Sequence, residues 1–424
     1  MMKIHTFRFL ILFFLIGCSR LCHAQTRDSL DIKVGQMILT GLPNAKVDAN
    51  VLEAVRSGKI GSILLFEKNI PAKNSYIELK RILWAYQKAA AIPLFISIDQ
   101  EGGKVNRLKE KYGFPRSVTA ARLGKYPIDS VQFYAEITAT TLAGLGFNVN
   151  FAPVVDLASN PTNPVIARPE RSFSASADSV SIFAREVIRQ HRKAGVITVL
   201  KHFPGHGSSK DDTHLGIADV TKTWNANELT PYQTLLDSGY ADAIMTAHIV
   251  NKNLDERGLP GTLSKRITSD LLREKLHFNG VVFSDDMQMH AITKHYPLEE
   301  SILLAIQAGV DILTFSNNIQ GSQERTVDRV HQIIRKFVED GTISKERIDQ
   351  SFRRIMLLKR RLDTGEVDYY REQLVKANEE LQKQKLIAEN NEKLAIEMAA
   401  KTKSDSDQQE QSGKSKKKRK KKSD

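Results

Sequence analysis

Val196-Ile197-Thr198-Val199-Leu200-Lys201-His202-Phe203-Pro204-Gly205-His206-Gly207 joins a β-branched run to a turn of titratable groups. The first five residues have the length and composition of a strand buried on both faces. Two cations, two glycines and then Asp212-Thr213-His214 follow. A strand end that opens into ionisable side chains is where α/β enzymes keep their chemistry. A histidine-rich surface turn would fit the same letters in isolation. The surrounding chain decides between the two.

Seven further apolar runs lie between residues 34 and 316. They are Met37–Leu39, Ser62–Phe66, Leu94–Ile98, Val149–Val154, Ala243–Ala247, Val281–Ser284 and Asp311–Phe315. Helical patterns separate them: Ser75 to Ala89 places Ile77, Leu79, Ile82, Leu83 and Tyr86 mostly on one stripe, and Asp178 to Ala194 and Leu298 to Ala308 behave alike. Strands spaced by crossover helices pair in parallel, and eight such units predict a closed (β/α)8 TIM-type barrel over residues 28–364. Glu324 to Glu339 and Lys345 to Arg361 read as closing helices. No Gly-x-Gly-x-x-Gly follows the first strand, which removes the main sign of a dinucleotide fold, and no cofactor is expected.

The ends differ from the body. Lys3, His5 and Arg8 precede the apolar stretch Phe9 to Ile16, too short for a resident membrane helix, so residues 1–24 read as a signal peptide. Leu15-Ile16-Gly17-Cys18 has the form of a lipobox, which would lipidate Cys18 and attach the chain to a membrane; cleavage after Ala24 would release it into the periplasm instead. Both cysteines, Cys18 and Cys22, lie here, so the fold stands on its core without disulfides. Residues 365–400 suit a polar helical extension, and 401–424 a disordered basic tail. The formal charge of +13 is concentrated in these ends: the tail holds 10 Lys/Arg against 4 Asp/Glu, the leader has Lys3, Arg8 and Arg20, and residues 25–400 keep about +4. The body is therefore not a nucleic-acid surface. A monomer is expected.

Parallel strands in a barrel send their C-terminal ends to one mouth. Asp99-Gln100-Glu101 after the third run, Asp156 after the fourth, Lys201-His202 after the fifth, His248 after the sixth and Asp285-Asp286 after the seventh would meet there. A lone Asp156 serves equally well to pin a loop, and His248 reads as a hydrogen-bonding support. His202, His206 and His214 lack a helical metal-ligand spacing, so no metal site is expected. Two acids in the seventh loop would repel a phosphate. Cleavage of a neutral sugar needs a carboxylate near the anomeric carbon and a proton donor at the leaving oxygen. Asp285 suits the first role, and His214, oriented by Asp212, the second.

These stretches resemble glycoside hydrolase family 3, in its single-domain β-N-acetylglucosaminidase form. Ile98-Asp99-Gln100-Glu101-Gly102-Gly103-Lys104-Val105-Asn106-Arg107 is similar to its sugar-binding signature. Ala152-Pro153-Val154-Val155-Asp156, the run Lys201 to His214 and Gly280-Val281-Val282-Phe283-Ser284-Asp285-Asp286-Met287 match further signatures in order. The resemblance implies Asp285 as nucleophile with Asp286 beside it, and His214 with Asp212 as a general acid/base dyad. It implies that Asp99, Arg107, Arg171, Lys201 and His202 hold the terminal N-acetylglucosamine. Around Arg171 the chain departs from the family pattern: Asn163-Pro164-Val165-Ile166 continues Ala167-Arg168-Pro169-Glu170-Arg171, with two extra residues, so Arg168 competes for the position. The implied reaction is retaining exo-hydrolysis of β-linked N-acetylhexosamine from oligosaccharides or murein fragments. A β-glycosidase for another sugar, a phosphorylase and an inactive glycan-binding lipoprotein are the alternatives.

Overall fold

The computed structural model describes residues 29–324 and 326–362. The leader over 1–24, the extension over 365–400 and the tail over 401–424 lie outside the described residues.

All eight runs become strands: β1 (Ile38–Gly41), β2 (Ser62–Leu65), β3 (Phe95–Ile98), β4 (Val149–Asn150), β5 (Ile197–Phe203), β6 (Ala243–Thr246), β7 (Val281–Asp286) and β8 (Ile312–Phe315). They pair in parallel in sequence order and close into a barrel where β8 meets β1, with Ile38 opposite Leu313. The interior is filled rather than open: Phe283 packs against Phe95 and Phe151, with ring centroids 6.2 and 5.4 Å apart. Burial of each such ring is worth about 1.5–3 kcal/mol.

Helices cover the outside: α1 (Ser29–Gln36), α2 (Ala49–Arg56), α3 (Ser75–Ala89), α4 (Ile128–Leu145), α5 (Ala177–Lys193), α6 (Thr230–Asp237), α7 (Leu298–Ala308), α8 (Val327–Glu339) and α9 (Lys345–Lys359). A helix of π-type hydrogen bonding, Arg266–Lys275, fills the crossover between β6 and β7. Ser176, Thr326 and Ser344 each accept a backbone N–H at the start of α5, α8 and α9, which sets where those helices begin. On α3, Leu79, Ile82, Leu83 and Tyr86 turn inward, whereas Ile77, assigned above to the same stripe, faces solvent.

The far end of the barrel is sealed by a buried amine. Lys359 Nζ donates to Gln36 Oε1 at 2.6 Å and to the Gly61 carbonyl at 2.9 Å, and lies 4.9 Å from the Phe95 ring. Burial lowers its pKa to about 7. Chemistry is left to the other end.

Candidate active site

At the C-terminal ends of the strands a pocket of about 160 Å³ gathers Asp99, Arg107, Arg171, Lys201, His202, His214, Asp285 and Asp286. These are eight of the nine site residues expected from sequence, and the ninth, Asp212, binds His214. Phe66, Phe151, Met245 and Met289 add apolar wall. A broader groove of about 620 Å³, with Lys68, Asn317 and Glu324 in its lining, meets the pocket at Ile319.

The strands run further than their apolar letters. β5 continues through Lys201, His202 and Phe203, so Lys201 and His202, expected just beyond the strand, stand on its last turn of pleat. β7 likewise carries Asp285 and Asp286 within its hydrogen-bonded length. Placement on strands rather than loops fixes these groups more tightly.

Lys201 is buried and bridges two carboxylates, 2.8 Å from Asp99 Oδ1 and 2.6 Å from Glu101 Oε1. Glu101 also grips Arg171, accepting from Nη2 at 2.7 Å and from Nε at 2.8 Å. Burial pushes the Glu101 carboxyl up, but Arg171 and Lys201 outweigh it and hold the group well below the usual carboxylate range. Glu101 was quoted in the signature above without a role of its own; the structure makes it the joint of the cationic wall. Nothing local marks it, because its partners lie 70 and 100 residues away along the chain.

Arg171 spends most of its donors inside the protein. Beyond Glu101 it reaches the Val165 carbonyl from Nη1 at 3.1 Å and His202 Nε2 from Nη2 at 3.3 Å. One N–H of Nη1 is left for a ligand. Arg168, by contrast, is exposed, so the two-residue insertion does not put it in the position of Arg171. Arg107 reaches Asp99 at 3.4 Å, while its Nε is buried with no hydrogen-bond partner among the described residues.

Asp156 turns out to be the pin rather than a reactive group. It accepts from His202 N, from His202 Nδ1 at 2.7 Å and from His206 N at 2.7 Å. Since a guanidinium only donates, His202 Nε2 accepts from Arg171 and the ring proton sits on Nδ1. His248 supports from behind, with Nδ1 2.8 Å from Thr262 Oγ1 and Nε2 2.9 Å from the Asp286 carbonyl.

The adjacent aspartates are in different electrostatic states. Burial raises Asp285, yet the electrostatic pull of the surrounding His248, His202 and His214 rings and the Asp286 N–H outweigh it and hold its pKa at about 2. Asp286 is raised to about 6, first by burial, although Ser316 and Gln288 donate to it. One carboxylate is thus held ionised, and its neighbour ties β7 to the segment after β8.

His214 stands on the long segment between β5 and α6. Its Nδ1 lies 2.7 Å from Asp212 Oδ1, which raises its pKa above the ordinary imidazole value. The ring is about half exposed at the pocket edge. Gly205 and Gly207 do not simply loosen this segment. A Cβ on Gly205 would strike Glu228 and one on Gly207 would strike the Leu157 carbonyl at 1.9 Å, so both glycines let the turn seat flush on its bed.

A pocket holding an ionised carboxylate and a carboxylate-backed imidazole has the two kinds of group that glycoside cleavage uses, and the family comparison agrees. The glycosyl hydrolase family 3 N-terminal domain matches residues 29–358. The chain belongs to this family. Beta-hexosaminidase A of Pseudoalteromonas piscicida is 32% identical over 332 residues, 73% of this chain and 55% of that protein, so the chain matches about half of that relative's length. A beta-hexosaminidase of Tolumonas auensis is 32% identical over 293 residues, 67% of this chain and 84% of its own. Among solved structures, a family 3 beta-N-acetylglucosaminidase of Paenibacillus sp. FPU-7 superposes with a TM-score of 0.71 at 31% identity, covering 82% of this chain and 68% of that one.

Proposed function

We propose that this family 3 chain is a retaining exo-β-N-acetylglucosaminidase. The observation that carries the reading is Asp285, held as a carboxylate on β7, facing the same pocket as the Asp212–His214 dyad. Asp285 attacks the anomeric carbon while His214 Nε2–H protonates the departing glycosidic oxygen. The neutral imidazole then takes a proton from water, and the resulting hydroxide releases the sugar from Asp285 with its configuration retained. Asp99, Arg107 and Lys201 hold the ring hydroxyls. His202 forms part of the wall with both ring nitrogens bonded to Asp156 and Arg171, and Arg171 fixes Glu101 and His202 while offering one N–H of its own.

A room of about 160 Å³ is well below the ~300–1,000 Å³ of drug-sized sites and suits one terminal sugar. The names of the relatives favour N-acetylhexosamine as that sugar. The leader residues favour action outside the cytoplasm, on murein fragments or other glycan oligosaccharides, with Cys18 lipidated or the chain released after Ala24. Hydrolysis of an aryl N-acetylglucosaminide but not the aryl glucoside, in phosphate-free buffer, is the expected result. A strict need for phosphate would make the protein a phosphorylase, and binding without turnover would make it a glycan-binding protein.

A further inference from the structure

The turn that leads to His214 is clamped from below by two carboxyl groups on different elements. Asp156 Oδ1 accepts the His206 N–H at 2.7 Å, and Glu228 Oε2 accepts the next N–H, that of Gly207, at 2.8 Å. Glu228 lies in a short helical turn, Ala226–Leu229, ahead of α6, and is only 2% exposed. Its side chain fills the space that a Cβ on Gly205 would need. Ser208 approaches the same carboxyl. Neither the proposed catalysis nor sugar binding uses Glu228, yet it meets three residues, Gly205, Gly207 and Ser208, of the segment that bears the dyad.

We propose that Glu228 is a positioning residue for the acid/base dyad: it docks the Gly205–Ser208 turn and so sets where His214 meets the leaving oxygen. The inference rests on the assignment of His214 as acid/base, although the docking itself can be read without activity. The titratable groups acting on Glu228 are Asp156 from the segment after β4 and Tyr232 from α6, while His206 in the turn is bound to Asp156. Burial keeps Tyr232 a neutral phenol and lowers His206 to about 4, so Asp156 is the anion that matters. Burial first, and Asp156 next among the raising causes, lift Glu228 to about 7. A carboxyl whose docked value is raised above its free value favours docking while it is protonated. The docking therefore weakens as pH rises from the free carboxyl value through about 7, and levels off above that.

Hydrogen exchange over peptides spanning residues 203–217 tests the docking, in the full chain and in Glu228→Ala and Glu228→Gln. Glu228→Ala should exchange faster there, with the barrel strands unchanged. Glu228→Gln keeps an acceptor for Gly207 N–H and should restore protection, now without a change in protection between pH 5 and pH 8. In kinetics, Glu228→Ala should lose at least 10-fold more kcat/KM on a natural disaccharide than on an activated aryl glycoside, as should His214→Ala. Unchanged exchange in folded Glu228→Ala, or equal loss on both substrates beside a leaving-group-dependent His214→Ala, overturns the positioning role. Loss of the leaving-group dependence in His214→Ala itself, with exchange behaving as stated, would instead remove the acid/base assignment and leave the docking standing. A Glu228→Ala chain that fails to fold passes the decision to Glu228→Gln, whose protection must then be independent of pH.

Discussion

Asp212 Oδ1 accepts both the backbone N–H of His214, at 2.8 Å, and its ring Nδ1–H, at 2.7 Å. One oxygen thereby fixes where the imidazole starts and how it is turned. In the proposed reaction it leaves Nε2 as the atom that exchanges a proton with the leaving group.

Asp212→Asn keeps an oxygen at that position but removes its charge. The pKa of His214, raised mainly by this hydrogen bond, should fall back toward the ordinary imidazole value. The basic limb of the kcat/KM profile, which reports the free enzyme's acid, should move to lower pH. A basic limb at the same pH in wild type and Asp212→Asn would break the link between the dyad and the limb.

Under the proposed mechanism, His214→Ala removes the proton donor and spares the nucleophile. Acid–base assistance is typically worth about 10²–10⁴-fold, and the loss should be largest for a disaccharide with a poor leaving group. An aryl substrate with an acidic phenol should lose far less. Rates on a graded series of aryl glycosides give the comparison.

Asp156→Asn tests how the floor of the site is held. The asparagine Oδ1 can still accept the backbone N–H groups of His202 and His206, but its amide would face the Nδ1–H of His202, donor against donor. Moving that proton to Nε2 would set it against Arg171, which already donates there. One buried donor is left unsatisfied in either case, at about 1–3 kcal/mol. The midpoint of denaturant unfolding should fall accordingly, with KM raised more than kcat is lowered.

The barrel was readable because each strand is a short buried run and each gap is a helix length. The reactive groups were readable where they follow those runs, as Asp285 follows Val281–Ser284 and Lys201 follows Val196–Leu200. What local letters do not encode is reach. Glu101 matters because Lys201 and Arg171 come to it from distant segments, and Glu228 because it lies under a turn about twenty residues earlier in the chain. Asp156 had two readings, and its three donors, all on β5 and the turn beyond it, decide in favour of the pin.

Lys359 gives the fold a pH dependence of its own. Its folded pKa of about 7 lies below the unfolded lysine value, so between the two the unfolded chain binds a proton that the folded chain refuses. Stability from this group should therefore rise with pH from about 7 upward, by at most about 1.4 kcal/mol per pH unit. Lys359→Met should lack that rise. Unfolding midpoints of both proteins at pH 7 and pH 9 make the test, and parallel changes would exclude the buried amine as the source.

The account turns on Asp285 forming a bond to the sugar. A 5-fluoro glycosyl donor slows both steps and should leave a glycosyl-enzyme that survives digestion. Mass mapping should then place the sugar on the peptide containing Asp285, and Asp285→Asn should take up no label. Label on any other residue, or turnover of the donor with inverted configuration and no covalent enzyme, would contradict it.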